Sequence, residues 1–174
     1  MSAVAFLRSR TAAAHERVDA AFGSHDLASP DTYRRFLAAH ARALPDAEAM
    51  AAAVWPALRR RTPLLAADLA AIGLPIDLPA MTAHEAGPAQ WGALYVVEGS
   101  RLGGGLLARR VAEGMPCAYL SAVHEPGEWR TIRSAIDAAA TGQAEAWHDA
   151  MVAGALDVFG LYEAAADTPS SPTV

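Results

Sequence analysis

Alanine makes up roughly a quarter of this 174-residue chain, and no other feature restricts its fold as strongly. Alanine has the highest intrinsic helix propensity, whereas the β-branched residues that favour strands are sparse here. Apolar residues recur every three or four positions, and the period-two alternation of a half-buried strand is nearly absent. The sequence therefore predicts an all-α fold.

Apolar spacing and helix-breaking residues divide the chain into six or so helical stretches. We predict them over about 3–22, from residue 30 past 44, over 55–72, and over about 89–113, 128–140 and 144–166. Proline and glycine punctuate residues 74–88 and 114–127, which are predicted loops. No linker divides the chain, so we expect one domain over 1–167 and a flexible tail over 168–174.

Composition excludes several functional classes. The formal net charge is -5, which argues against a globally basic nucleic-acid binder. The chain has one cysteine and no lysine, so it contains no internal disulfide, no zinc-finger thiolate pair and no P-loop or Schiff-base lysine. It contains no apolar run of the roughly 18 residues that a membrane span needs and no signal-peptide pattern, so we expect a cytoplasmic protein.

The helix predicted over 89–113 contains glycines where alanine would be more stable. Four of them, Gly99, Gly103, Gly104 and Gly105, cost roughly 2–4 kcal/mol together relative to alanine. Gly99 and Gly103 are separated by four residues and Gly92 lies seven before Gly99, so these three share one stripe of the helix. The stripe fits a kinked helix against which a flat ligand can lie. Tight helix–helix packing is an alternative, and a phosphate-binding glycine loop after a short strand is a weaker one.

His15 lies beside the apolar stripe of the first helix. Asp19 is four residues further on and can accept a hydrogen bond from one ring nitrogen, leaving the other nitrogen free to bind a metal. Arg8 is two turns earlier on the same face, about 10 Å away at 1.5 Å per residue. One imidazole and one guanidinium on one face suit an iron macrocycle with a carboxylate at its edge. An ordinary histidine paired with Asp19 is the alternative.

Two segments carry a resemblance to a known family. Residues 7–15 (LRSRTAAAH) resemble the first helix of the biliverdin-producing haem oxygenases, in which a basic residue and a threonine precede the proximal histidine by seven and four positions. Residues 98–104 (EGSRLGG) resemble the distal-helix motif of the bacterial, phytochrome-associated branch. Residues 33–37 and 61–69 are similar to the intervening helices, and the likeness extends from about 5 to 165.

The resemblance implies a single-domain, haem-oxygenase-like helical bundle that holds haem b between the first helix and the kinked distal helix. His15 is then the iron ligand, and Arg8, Thr11 and Asp19 are haem-binding residues of the first helix. The implied reaction uses O₂ and reductant to open the haem ring to biliverdin, CO and ferrous iron. Haem is both cofactor and substrate.

On the distal helix, the resemblance implies that Gly99 and Gly103 bind haem and that they act in catalysis together with Ser100. The glycines let the backbone approach the porphyrin and enclose O₂. Mammalian-type members carry an aspartate where this chain has Ser100, so the proton relay is expected to run differently. Helical geometry turns Arg101 away from Gly99, and we expect it to face solvent.

Two further expectations concern the residues that anchor the haem propionates and the proteins that act with this chain. A rough alignment of the last helix places Met151 and Ala155 where mammalian-type members keep basic propionate anchors, which leaves Arg8 as the matched anchor. Electrons must come from an external donor, a ferredoxin or a reductase, because the sequence has no flavin or nicotinamide motif. Arg109 and Arg110, or residues 59–61, can form a docking patch for it, although a plain solvated face explains them as well. Relatives of this branch often supply biliverdin to a phytochrome.

Three functions are therefore weighed. The first is a haem-degrading oxygenase. The second is a haem or tetrapyrrole-binding protein on the same fold that has lost turnover, suggested by Ser100 and the missing basic anchors. The third is a helical protein without a cofactor, whose glycines serve packing.

Overall fold

The computed structural model describes residues 1–76 and 82–167, and within them the chain forms seven helices and no strand. The predicted tail over 168–174 lies outside the described residues. In chain order the helices are α1 (Ala3–Gly23), α2 (Pro30–Ala52), α3 (Thr62–Ala71), α4 (Pro88–Ala108), α5 (Ala118–Ser121), α6 (Glu128–Ala140) and α7 (Glu145–Asp167). The all-α prediction is confirmed, and α1, α6 and α7 match their predicted bounds closely.

The third helix is shorter than predicted because a buried carboxylate determines where it begins. Glu48 on α2 accepts hydrogen bonds from the backbone N–H groups of Arg61 and Thr62 and from the Thr62 hydroxyl. These bonds satisfy donors that a helix N-terminus leaves free. With Pro63 in the first turn, α3 begins at Thr62, and residues 55–61 are not helical.

A short helix interrupts the second predicted loop. The carboxylate of Asp68 on α3 accepts hydrogen bonds from the backbone N–H groups of Ala118 and Tyr119, which begin α5. A buried partner from a distant segment thus orders residues that a propensity argument assigns to coil. The glycine-rich helix ends at Ala108, five residues before the predicted end, and it runs without interruption. A bend at its glycines stays a prediction.

Two apolar clusters hold the bundle together. The larger one joins α1, α4, α6 and α7 with the C-terminal half of α2. The smaller one joins the N-terminal half of α2 with α3 and α5 around Phe36, Leu65 and Leu120. Because α4 packs mainly on α7, and α1 and α2 also pack on α7, this last helix is the central element of the fold.

The packing of α4 on α7 depends on two glycines. A methyl group on Gly92 would overlap the backbone carbonyl of Met151, and one on Gly154 would overlap the backbone of Ala89. Neither obstacle is a flexible side chain, so the two helix backbones approach as closely as glycine allows. The helix-packing interpretation is therefore correct for Gly92.

None of the helices in the described part of the chain combines the length and the apolar character needed to cross a membrane.

Substituting Gly92 tests whether the close contact between α4 and α7 stabilises the fold. Because the added methyl meets backbone, we expect Gly92→Ala to lower the free energy of unfolding by about 3 kcal/mol, the upper end for overpacking. The matched control is Gly160→Ala on α7, which adds a methyl into open space and should raise stability by about 0.5–1 kcal/mol. Urea unfolding measures both, and equal effects of the two variants would contradict the close approach.

Candidate active site

A cavity of about 600 Å³ lies within the bundle, and α1 and α4 both line it. Its size is in the range of ligand-binding pockets. Six residues of the predicted site line the cavity: Arg8, His15, Asp19, Gly99, Ser100 and Gly103. Residues from four separate helices complete it, and most of the lining surface is apolar. The structure thus brings the first-helix and distal-helix candidates to one cavity.

His15 is held by one ring nitrogen only. Its Nδ1 lies 3.1 Å from Oδ2 of Asp19, which confirms the predicted pairing, and its ring meets Phe159 edge to face. The side chain is 62% exposed although it lines the cavity. Among the described residues Nε2 has no hydrogen-bond partner. An imidazole oriented through Nδ1 with Nε2 free is the arrangement that metal-binding histidines use.

The glycines of α4 divide into two groups. At Gly104 and Gly105 a methyl group would press on Leu120 and Val123, so packing explains them, as it does Gly92. At Gly103 a methyl group would meet nothing within 4 Å, and at Gly99 it would meet only Trp129 at 3.9 Å. Packing therefore does not explain Gly99 and Gly103, although it does explain Gly104, which also lines the cavity. The expectation that Gly92 belongs with Gly99 and Gly103 is wrong, because Gly92 is not a lining residue.

The Ser100 hydroxyl is already engaged on both sides. It donates to the Val97 carbonyl at 2.7 Å and accepts from Nη2 of Arg61 at 2.7 Å. One oxygen lone pair is left for a further donor. Ser100 therefore serves first as a link between α4 and Arg61.

Arg61 is a cavity residue that the sequence did not identify. Its side chain is 2% exposed, Nη2 also donates to the Val97 carbonyl at 2.8 Å, and the guanidinium lies over the Tyr119 ring. The Nε atom is buried without a partner in the described structure. The expectation that residues 59–61 form a solvent-facing patch is thus wrong for Arg61. Hydrogen bonds to the buried Glu48 carboxylate hold the start of α3 in the interior.

Besides Arg61, two cationic side chains line the cavity, one from α1 and one from α6. Arg8 lines it as predicted, and Arg133 on α6 lines it too. Met151 and Ala155 are fully buried, and both lie against Gly92 in the contact of α7 with α4. The alignment that put these two residues at the cavity rim is therefore wrong. Arg133 was missed because its helix has no local motif.

Comparison with known proteins gives a consistent result. No protein-family model matches the chain. A protein named heme oxygenase from Xanthomonas campestris pv. campestris (strain 8004) is 33% identical, over 71% of this chain and 86% of that protein. The chain belongs to the haem oxygenase family. The NO- and CO-bound heme oxygenase from Neisseria meningitidis has the same fold, with a TM-score of 0.79 and 22% identity over 95% of this chain and 90% of that one.

Thr11 was predicted to bind haem, but the structure places it behind the lining of the cavity. Thr11 is buried, its hydroxyl donates to the Leu7 carbonyl at 2.8 Å, and it is not a lining residue of the cavity. It lies close to Tyr95, which does line the cavity. Burial raises the pKa of Tyr95, while the positive charge of Arg8 and the Thr11 side chain oppose that shift.

Arg101 lies in the segment 98–104 of α4, but its side chain is not at the surface of the protein. The expectation of a solvent-facing side chain is wrong, because Arg101 is 1% exposed and its Nε donates to the Glu98 carboxylate at 2.9 Å. The helical wheel placed Arg101 correctly away from Gly99. The error arose because α4 is covered on that face too, by the segment between α5 and α6 and by the residues before α3.

The inner end of the haem oxygenase cavity is polar and deeply buried. The Nδ1 atom of His40 lies 2.6 Å from the Tyr119 hydroxyl, and Tyr162 closes the same end. Burial first, and then the positive charge of Arg61, lower the pKa of His40 from 6.5 to about 3. Burial raises the pKa of Tyr119 and raises that of Tyr162 well above its usual range. All three groups are therefore neutral hydrogen-bonding partners near pH 7.

The depressed pKa of His40 predicts a pH-dependent stability. Between pH 6.5 and about 3 the unfolded chain binds a proton at His40 that the folded chain does not, so acidification destabilises the fold. This single group should contribute a slope of about 1.4 kcal/mol per pH unit between pH 6 and 4. We expect His40→Gln, which keeps a bond to Tyr119, to remove that slope in urea unfolding series. The control His148→Gln, near the surface, should keep it. Parallel slopes in the His40 variant and the wild type would contradict the assignment.

Proposed function

We propose that this chain is a haem oxygenase that binds haem in the cavity between α1 and α4 and opens its ring. The reaction takes O₂ and electrons from an external donor and yields biliverdin, CO and ferrous iron, with haem as cofactor and substrate. The observation that carries the proposal is that His15 and the bare backbone of Gly99 and Gly103 line one cavity. This combination fits a flat iron macrocycle.

His15 is the residue we assign to the haem iron. Its Nε2 is free, and Asp19 accepts a hydrogen bond from Nδ1, which fixes the neutral tautomer that coordinates through Nε2. Phe159 meets the ring edge to face and restricts its rotation. Iron at this position supplies the O₂ chemistry when haem is bound, and the chain supplies orientation.

The distal wall of the cavity, formed by α4 and Arg61, has three tasks in this proposal. Gly99 and Gly103 present backbone without a Cβ, which leaves room for the haem face and for O₂. Arg61 lines the cavity, and its guanidinium gives the distal wall a fixed positive charge. Ser100 holds the guanidinium in place and has one lone pair left for a water. Ser100 stands where mammalian-type members use an aspartate for the proton relay, and Arg61 is hydrogen-bonded to it.

The propionates of haem need cations at the cavity rim. Arg8 on α1 and Arg133 on α6 both line the cavity, and the structure gives neither guanidinium a carboxylate partner among the described residues. We assign the two propionates to these two arginines. Guanidinium groups bind carboxylates through paired hydrogen bonds, which orient as well as attract. Tyr95, beside Arg8, is a third polar group available at this edge.

The remaining expectations belong to the proposal as well. The external donor is a ferredoxin or a reductase, and Arg109 and Arg110, exposed at the end of α4, are candidates for its contact. Haem b as the haem type, transfer of biliverdin to a phytochrome, the phytochrome-associated branch and a cytoplasmic location stay predictions from the sequence. The domain assigned to residues 1–167 is the unit that carries the function.

Titration with hemin tests the ligand and the reaction together. We expect a Soret band with the wild type, and a displaced or weakened band with His15→Ala that added imidazole restores. His148→Ala, on α7 and not a lining residue of the cavity, is the matched control and should behave as the wild type. Reductant in air should then replace the Soret band by biliverdin absorbance. A haem complex that stays intact under these conditions would identify a binding protein without turnover, and an unchanged His15→Ala spectrum would exclude His15 as ligand.

The rim arginines are tested by hemin affinity. We expect Arg8→Ala and Arg133→Ala each to weaken hemin binding about fivefold, because a partly exposed ion pair contributes up to about 1 kcal/mol. Added salt should narrow the difference from the wild type, since it screens the same interaction. Arg130→Ala, an exposed arginine on the same helix as Arg133, is the control and should bind normally. Equal affinities for Arg130→Ala and Arg133→Ala would remove Arg133 from the site.

A further inference from the structure

Three buried polar side chains form a cluster on the side of α4 away from the cavity. The Glu98 carboxylate accepts from Nε of Arg101 at 2.9 and 3.0 Å, and it lies 3.0 Å from Nε2 of His124. The side chains of Glu98 and Arg101 are almost fully buried, and that of His124 is nearly so. We call Glu98, Arg101 and His124 the Glu98 cluster.

The Glu98 cluster connects α4 to the segment that leads into α6. Arg101 donates through Nη1 to the Ala122 carbonyl at 3.0 Å and through Nη2 to the Arg59 carbonyl. Arg59 in turn donates to the Val123 carbonyl at 2.9 Å and pairs with Glu128 in the first turn of α6. The start of α6 is therefore tied to α4 through side chains rather than through apolar packing alone.

Trp129 is the residue through which the Glu98 cluster reaches the cavity. The His124 ring stacks on the Trp129 ring, with centroids 5.4 Å apart and planes 20° apart. Trp129 lines the cavity, and its Cη2 is the one atom from another described segment within 4 Å of a methyl group built on Gly99. The indole thus stands beside the first bare glycine of the distal helix.

Burying the Glu98 cluster has a high free-energy cost. A buried ion pair gains little over apolar side chains of similar volume, because both charges lose their hydration. His124 adds a further cost, since its Nδ1 is buried without a partner in the described structure. Stability alone therefore does not account for these three residues, whereas fixed hydrogen-bond directions do favour a role in orienting Trp129.

We propose that the Glu98 cluster positions Trp129 against Gly99, and that Trp129 is the cavity wall that determines how haem is rotated in its plane. That rotation decides which meso carbon faces the distal backbone, so Trp129 determines which biliverdin isomer is formed. The inference rests on the proposed function. Glu98, Arg101 and His124 act through Trp129 and are positioning residues.

The first experiment needs no haem. The chain has four tryptophans, so labelling with 5-fluorotryptophan gives four ¹⁹F resonances, and Trp129→Phe assigns one of them. His124→Phe keeps a flat ring against the indole but loses the bond to Glu98, whereas His124→Gln keeps a donor to Glu98 but loses the stack. We expect both variants to shift or broaden the Trp129 resonance and to leave the Trp147 resonance, outside the cavity, unchanged. His124→Gln keeps this test available where His124→Phe fails to fold.

The second experiment uses hemin. Trp129→Ala removes the wall, and we expect the minor biliverdin isomers to rise about tenfold relative to the main one, the effect of losing a modest steric preference. The haem methyl shifts in the ¹H NMR spectrum of the ferric complex should change in the same variant, which reports the haem rotation without turnover. His124→Gln should move both readouts in the same direction by less. Trp147→Phe, the matched control, should leave isomers and shifts as in the wild type.

Two results would overturn the inference. One is an unmoved Trp129 resonance in both His124 variants, which would break the link between the Glu98 cluster and the indole. The other is an unchanged set of haem methyl shifts in Trp129→Ala, which would mean that the indole does not set the haem rotation. A wild type that binds haem without opening it would contradict the proposed function alone, because the ¹⁹F and haem methyl readouts would still decide the positioning role.

Discussion

The backbone contact between α4 and α7 at Gly92 and Gly154 constrains everything else in the site. Because a methyl group at either position would overlap the backbone of the other helix, the two axes cannot separate or slide without loss of contact. α7 also packs against α1 and α2. The glycine contact therefore fixes α4 relative to α1, and with it the distance between the two walls of the cavity.

The same face of α4 meets two different surroundings along its length. Gly92 and Gly99 are seven residues apart, within about 20° of the same direction on an ideal helix. At Gly92 that face meets the α7 backbone, whereas at Gly99 and Gly103 it opens into the cavity. The close contact at one end thus holds a bare surface at the other end in position. Packing requires glycine at Gly92, and the proposed function uses the bare backbone at Gly99 and Gly103 for access.

The predictions that depend only on local spacing were confirmed, whereas those that depend on long-range contacts failed. The pairing of His15 with Asp19 depends only on a separation of four residues in one helix, so the sequence predicts it. Arg101 was assigned to solvent because a helical wheel does not show which faces other segments cover. Arg61 and His40 reach the cavity from separate segments, and no motif connects them to the distal glycines. The sequence does not show the role of each glycine either, because that role depends on which atoms of other segments face it.

The electrostatics of the cavity wall follow from how the buried acids are used. The Glu48 carboxylate is occupied by Thr62 and by the backbone at the start of α3, and Glu98 is occupied by Arg101 and His124. Among the described residues Arg61 is therefore left with neutral acceptors and the Tyr119 ring.

A buried cation without a carboxylate partner is costly, and such a charge is retained where a function draws on it. In the proposed function, the fixed positive charge of Arg61 beside the distal glycines would favour the negative charge that develops as O₂ is reduced. An aspartate in place of Ser100 would stand beside this guanidinium and neutralise it. Serine orients Arg61 and leaves its charge in force, so Arg61 and Ser100 act as one unit.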